Sequence, residues 1–373
     1  MRDQNAQTLL AKVMNWESGD DVSSRVPSLQ LLADYKYDHY QRFGPGRRFI
    51  ESLALWLNQF DPADRNTALN LVLERLVYFS EAELLHLVET AYPDLIVQER
   101  LQLVAGEQGV PAFKVGYLRH HPRFKELRLK TLYLGLSDGA RTNEIRRSSR
   151  GEIGNEQIWQ AYELGEDKAI DMAEGLKASL DESGFSTSKA RFNLIWLVDD
   201  FSGSGNTYIR FDSKAGKYKG KIKKVYERLN QGDLIDTSHY EVFLLLYIAT
   251  RKAIDHISYW AERFTSENGY KPLQVRVLCV VEDNEALTRA WTPELKSILT
   301  NAAYYDQRGF DKHIAVGGTT DAQLGFAACA LPVVLPHNTP NNSVYILWGP
   351  ETFLSEPSKF SGLFPRVSRH RES

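Results

Sequence analysis

The chain is poor in cysteine, in long apolar runs and in excess charge of either sign, and each shortage narrows what it is. Its 373 residues hold only Cys279 and Cys329, too few for a disulfide scaffold or a four-thiolate metal site. Lone cysteines of this kind are ordinarily small core residues in a reducing compartment. The longest apolar run, Val242 to Ala249, falls far short of the ~18 residues that a membrane span requires, so no membrane partner is expected. Met1 to Val13 is polar and shows no secretory leader, and cytoplasmic residence is expected. Lys and Arg number 45 against 48 Asp and Glu, a net charge of −3. Residues 1–125 carry 14 basic against 16 acidic side chains. Neither part of the chain can coat nucleic acid by charge alone. Apolar residues at 43% and charged residues at 25% fit a globular protein with a substantial core. The length suits two domains, or one large α/β domain with an appendage.

The first hundred residues read as helices. Apolar side chains recur at spacings of three and four in Phe49, Leu53, Trp56 and Leu57, again in Leu69, Leu73, Leu76 and Val77, and again in Leu84, Leu85, Leu87 and Val88. Asp61-Pro62 and Asn66 punctuate them, and Ser80 with Glu83 forms a capping-box pattern. This predicts a helical domain over residues 1–120, of winged-helix-like type. Gly106, Gly109, Pro111, Gly116 and Pro122 break the periodicity, and a second domain is expected over 121–373. There, short apolar strands (Thr131–Leu136, Phe192–Val198, Val242–Ala249, Val275–Val281, Leu331–Leu335 and Val344–Trp348) alternate with helices (Asn155–Tyr162, Asp167–Ser179, Lys221–Asn230, Ala253–Arg263, Pro293–Ala303 and Asp321–Ala328). Strands apolar on both faces, alternating with helices, predict an α/β fold with a mostly parallel sheet.

One segment carries chemistry. The strand Leu194–Val198 ends in Asp199 and Asp200, and Phe201, Ser202, Gly203, Ser204, Gly205, Asn206 and Thr207 follow. In an open α/β sheet, ligands bind at the carboxyl ends of strands, where this loop sits. Gly203 and Gly205 let backbone N–H groups approach a phosphate, and Ser202, Ser204 and Thr207 add hydroxyls. Two ionised carboxylates suit two vicinal hydroxyls. Together these groups describe a site for a ribose 5-phosphate. A Walker loop is excluded, because no Lys follows the glycines, and a dinucleotide fingerprint is excluded by Tyr208 where a third Gly belongs. The competing reading is a strand ending in a polar turn, with both acids solvated or capping.

The run resembles the phosphoribosyl-pyrophosphate loop of type I phosphoribosyltransferases, in which two acids precede a T/S-G-x-T turn. In that family a parallel sheet flanked by helices carries a C-terminal hood. A loop after the first core strand binds the pyrophosphate. Here Thr131–Leu136 runs into Ser137, Asp138, Gly139, Ala140 and Arg141, with Arg146 and Arg147 beyond. Gly139 permits an unusual turn, and Arg141 offers a planar donor to phosphate oxygens. In the family the phosphate loop opens a helix whose N-terminus assists anion binding. This chain departs from that pattern, because Tyr208 to Gly220 reads as a hairpin, which puts the helix contribution in doubt. Lys214, Lys217, Lys219, Lys221, Lys223 and Lys224 crowd this insert, either as a solvated face, as a charged flap over pyrophosphate or as a patch meeting nucleic acid.

A third element lies near the C-terminus, at His337, Asn338, Thr339, Pro340, Asn341 and Asn342, followed by Leu363-Phe364-Pro365-Arg366. The side chains of Asn338, Asn341 and Asn342 present both donors and acceptors, which suits a polar base or amide. A Pro/Asn turn between strands is the alternative. GLSDGAR, VDDFSGSGNT, HNTPNN and LFPR, in this order behind a helical domain, resemble the phosphoribosyltransferase-like effector family of bacterial conflict systems. Its members occur in antiphage loci, including beside retron reverse transcriptases. The resemblance spans roughly residues 120–370. It implies a phosphoribosyltransferase-type glycosyltransferase that binds phosphoribosyl pyrophosphate with Mg²⁺ and transfers or hydrolyses the phosphoribosyl group. The Mg²⁺ would be carried by the substrate diphosphate, without a dedicated protein cage. Partners would include the reverse transcriptase and the non-coding RNA/DNA of a retron, or another defence-system component. The alternatives are a non-catalytic sensor of phosphoribosyl pyrophosphate and an interaction subunit.

The remaining polar clusters read as structure. His120-His121 have no partner at ligand spacing. Asp255 and His256 share a helix with Trp260, while Glu282-Asp283, Asp306 and Arg308 read as turn residues.

Overall fold

The computed structural model describes residues 3–16, 19–161, 165–231 and 233–367; Tyr162, the end of one expected helix, lies outside them. The chain divides into two compact units, residues 85–281, and residues 1–84 with 282–373. The 120/121 boundary expected from the glycines and prolines therefore lies inside the first of these.

Five parallel strands build the 85–281 unit: β1 (Thr131–Gly135), β2 (Ile158–Gln160), β3 (Leu194–Ser202), β4 (Glu241–Thr250) and β5 (Leu273–Val281). Their order across the sheet is β2-β1-β3-β4-β5. Four of the strands are those expected. β2 replaces part of the helix expected over Asn155–Tyr162; only Asn155–Gln157 is helical, as a single 3-10 turn. Four helices follow strands: α1 (Thr142–Ser148), α2 (Glu166–Glu182), α3 (Lys221–Gln231) and α4 (Arg251–Asn268).

Strand alternation divides the core. Leu132 and Leu134, Ile195 and Leu197, and Val242, Leu244 and Leu246 join one buried cluster with residues of α2, α3 and α4. Tyr133, Trp196 and Phe243 point to the opposite face, where the Trp196 and Phe243 rings stack at 4.4 Å. Burying each such Leu or Ile contributes roughly 1.5–3 kcal/mol, so both faces bind the strands tightly. The sheet order reverses direction between β1 and β3, which opens the crevice where ligands bind in folds of this kind.

The other unit is mainly helical in its N-terminal part, with helices Asp3–Met14, Gly19–Tyr35, Phe49–Leu57 and Arg65–Asn70. The capping box forms: Glu83 N donates to Ser80 Oγ (3.2 Å) and Ser80 N to Glu83 Oε2 (2.7 Å). A winged helix carries an antiparallel hairpin. The one strand among the described residues before β1, Val77–Tyr78, pairs instead in parallel with Val333–Val334. Leu331–Leu335 thus contributes a two-residue strand outside the five-stranded sheet. The expected strand Val344–Trp348 is a short buried helix, Tyr345–Trp348, and Asp321–Ala328 is helical only at Phe326–Ala328.

Candidate functional site

The loop after β1 and the end of β3 lie side by side, because the two strands run in register up to Gly135 and Val198. Leu136 N donates to Val198 O (2.9 Å), which keeps the chains together one residue further. Ser137 then caps a 3-10 turn, Asp138–Ala140, by accepting from Gly139 N (3.2 Å). Its hydroxyl also donates to Asp199 Oδ1. The turn is held from below by Tyr247 on β4, whose hydroxyl donates to Ala140 O (2.6 Å). Arg141 leaves the turn in the left-handed region, at φ 48°, and opens α1.

The two acids diverge. Alternation along β3 sends Asp199 to the face covered by α3 and Asp200 to the other. Asp199 is 1% exposed. Its Oδ1 accepts from Ser137 Oγ and from Asp200 N (3.2 Å). Its Oδ2 accepts from Tyr208 Oη (2.8 Å) and from Lys221 Nζ (2.7 Å). Burial raises the pKa of Asp199, while the Lys221 ammonium pulls it down and the Asp200 charge pushes it up. Burial also raises Tyr208 well above its ordinary value, so it stays a neutral donor. Asp200 is half-buried and accepts from Phe201 N (2.8 Å). Its carboxylate lies against the Gly139 backbone so closely that a Cβ there would sit 2.2 Å from Oδ2. A side chain at 139 would therefore displace the Asp200 carboxylate.

The Ser202–Thr207 loop packs on the start of α4. Thr250 Oγ1 donates to Gly203 O (2.8 Å) and accepts from Ala253 N (3.0 Å), joining the loop to the helix cap. Gly205 adopts φ +78°, and a Cβ there would meet His256 Cδ2 at 2.8 Å and Ala253 O at 3.0 Å. Ser202 and Ser204 are buried, Asn206 is half-buried and Thr207 is exposed. The expected hairpin follows, Arg210–Asp212 against Lys217–Lys219. It loops out and returns: Lys221 N donates to Thr207 O (3.1 Å) and Ile222 N to Tyr208 O (2.9 Å). The α3 helix therefore begins beside Thr207 in space although 14 residues separate them in sequence. Of the crowded lysines, Lys219 pairs with Asp212, Lys221 with Asp199 and Lys223 with Glu227; Lys214, Lys217 and Lys224 are exposed.

Ser137, Asp138, Gly139, Ala140 and Arg141 thus stand with Asp199, Asp200 and the loop Ser202 to Thr207 at one end of the sheet. His337, Asn338, Asn341 and Asn342 belong to the other unit, and the contacts they make there are internal to it. His337 O accepts from Arg42 Nε (2.8 Å), and Asn342 Nδ2 donates to Phe326 O (3.3 Å). Asn341 O accepts from Phe326 N (2.6 Å), and Asn338 pairs with Leu335 in an isolated bridge. Sequence reasoning missed Lys221, Tyr208 and Thr250 as members of the loop cluster. Lys221 was counted among the insert's lysines, and only its 2.7 Å contact distinguishes it.

Asp138 precedes Gly139 in the turn and the Asp200 carboxylate packs on Gly139; both acids are hard oxygen donors of the kind Mg²⁺ takes alongside substrate phosphates. Among the described residues no group of three or more His, Cys, Asp or Glu forms a metal cage. No helix among the described residues is long and apolar enough to cross a membrane. A family model, PRTase-CE, matches residues 53–366. No curated protein and no solved structure matches the chain.

Proposed function

The chain belongs to the PRTase-CE family of phosphoribosyltransferase-like effector domains, and on that premise we propose that it binds phosphoribosyl pyrophosphate with Mg²⁺ and transfers the phosphoribosyl group to an acceptor or to water. One observation carries the reading. A Gly/Ser loop and an Arg-bearing loop meet at the reversal of the sheet through the Ser137–Asp199 hydrogen bond and the Gly139–Asp200 packing. The Ser202–Thr207 loop takes the 5-phosphate on backbone N–H groups and hydroxyls. Asp200 accepts from the ribose hydroxyls, and its charge favours the positive character that develops at the sugar C1. Asp199, already engaged on both oxygens, positions Ser137 and the start of the phosphate loop. The Ser137–Arg141 loop receives the departing diphosphate, with Arg141 a planar donor to its oxygens. Asp138 and Asp200 would help hold Mg²⁺, which would neutralise diphosphate charge.

We further propose that the activity serves cytoplasmic antiphage defence, beside a retron reverse transcriptase and its non-coding RNA/DNA or another defence component. This rests on the family's effector character and on the motif order, and phage plating with and without Asp200→Asn tests it. The molecular reading is tested by melting the protein with phosphoribosyl pyrophosphate and Mg²⁺. Ligand at a hundredfold excess over its Kd adds about 2.7 kcal/mol of stability. Asp199→Asn with Asp200→Asn should abolish that shift. An unchanged shift in the double variant removes this site from the proposal. Pyrophosphate release with a panel of acceptors separates an enzyme from a sensor that binds without turnover.

A further inference from the structure

A large hollow lies in the 85–281 unit, away from the two loops. Its volume is about 810 Å³, and none of its lining residues belongs to the two loops described above. Cavities of roughly 300–1,000 Å³ suit nucleotide-sized molecules. Tyr92, Val97 and Leu101 give it an apolar wall, and Arg119, Arg147 and Arg150 bring positive charge. Acids line it too: Glu89 and Asp94 are exposed, and Glu152 is the inner one.

Glu152 is already taken. Tyr92 Oη donates to it (2.6 Å), Arg119 Nη2 lies at 3.4 Å, and Arg100 Nη1 at 3.9 Å. Among the described residues, Arg147 and Arg150 have no carboxylate partner. Arg100 stands behind the wall with no side-chain exposure. Its guanidinium lies between the rings of Tyr92 (5.9 Å) and Phe124 (5.1 Å), and among the described residues none of its nitrogens has a partner at good hydrogen-bond geometry. A buried cation so thinly compensated keeps the wall electropositive where screening is weakest. Arg119, Arg147 and Arg150 are exposed like Glu89 and Asp94, so the charges lining the hollow balance and the buried Arg100 sets the sign of the wall.

The hollow is also mechanically placed. Arg147, Ser148, Ser149 and Arg150 at the C-terminal end of α1 line it. The N-terminal end of the same helix emerges from Arg141 of the diphosphate loop. Seven residues of α1 span about 10 Å, a rigid connection between the two places.

We propose that this hollow is a second binding site, for a phosphate-bearing ligand of nucleotide size, and that α1 couples it to the diphosphate loop. The coupling rests on the function proposed above; the binding does not. Isothermal titration with ATP, AMP and inorganic phosphate tests it on the full chain, the Arg147→Glu/Arg150→Glu variant and Asp200→Asn. A nucleotide should bind the parent and Asp200→Asn alike, and bind the double arginine variant about tenfold more weakly or worse. Val115→Trp, which fills the hollow without removing an arginine, should weaken binding as well. No nucleotide binding, equal affinity in the arginine and Val115→Trp variants, or loss only in Asp200→Asn overturns the site. With nucleotide saturating, affinity for phosphoribosyl pyrophosphate with Mg²⁺ should change about threefold or more, reciprocally. An unchanged value overturns the coupling. If the parent binds nucleotide but not phosphoribosyl pyrophosphate, the function proposed above and the coupling fall, and the second site stands.

Discussion

The Asp199–Thr207 loop and the His337–Asn342 segment have similar compositions, small, polar and turn-forming, yet the structure uses them differently. In the first, side chains from two loops turn toward each other, and Asp200, Asn206 and Thr207 keep some exposure. In the second, the polar groups turn inward to their own unit. Thr339 Oγ1 donates to Phe364 O (2.8 Å), and Tyr40 Oη shares Thr339 and Pro365 O (3.0 Å each). Phe364 itself stacks on Phe43 and Phe49. Burial raises the Tyr40 pKa to about 12, as befits a hydroxyl that serves only as a hydrogen-bonding hub. Similar residue types therefore join two loops in one place and staple the chain in the other, and the partner of each side chain decides which.

The contrast can be broken most forcefully at Lys221. Asp199 has a raised pKa in the folded chain, so the fold favours the protonated acid. Its contribution is fullest below the ordinary carboxyl range and declines as pH rises through the folded value. Lys221→Met removes the compensating cation and lifts that value further. The variant should lose about 3 kcal/mol at pH above the folded value, and the gap to the parent should narrow as pH falls toward the ordinary carboxyl range. Thermal melts across that range check it; a pH-independent gap would mean the pair is not what holds Asp199. Next comes Gly205→Ala, which forces a side chain into φ +78° and against Ala253 O. About 2 kcal/mol should be lost, with weaker binding of phosphoribosyl pyrophosphate in titration. Thr339→Val tests the staple: two buried partners lose their hydroxyl, and denaturant melts should show a loss of about 1.5 kcal/mol. The smallest effect is expected at Lys219→Ala, which removes an exposed hairpin pair with Asp212; the melting temperature should not move measurably.

Much of the sheet was legible because β1, β3 and β4 are apolar on both faces, a pattern that parallel strands require. β2 was not. Ile158, Ala161 and Tyr162 fall at helical spacing, and only pairing with β1 makes Ile158–Gln160 extended. Val344–Trp348 failed the other way, since a short apolar run reads alike as buried strand or buried helix. Leu331–Leu335 found its partner at Val77–Tyr78, some 250 residues away, beyond the reach of any local pattern. At the candidate site the glycines and acids were visible because their types carry the chemistry. Lys221 was not, because the hairpin puts 22 positions between it and Asp199. The divergence of Asp199 from Asp200 follows from strand alternation, but recognising it needs the end of β3 to be known.

The hairpin is cinched at its root. Gly220, at φ +126°, brings its backbone so near Tyr208 O that a Cβ would lie 2.3 Å away. Thr207 and Tyr208 hand the chain directly to Lys221 and Ile222 across that neck. Beyond the neck, Phe211 and Tyr218 pack on Trp260 and Phe264 of α4, and the turn at the tip lies past those contacts. A peptide tag or fluorophore spliced in at Ala215-Gly216, the exposed tip, would ride on the protein without shifting the helix behind it.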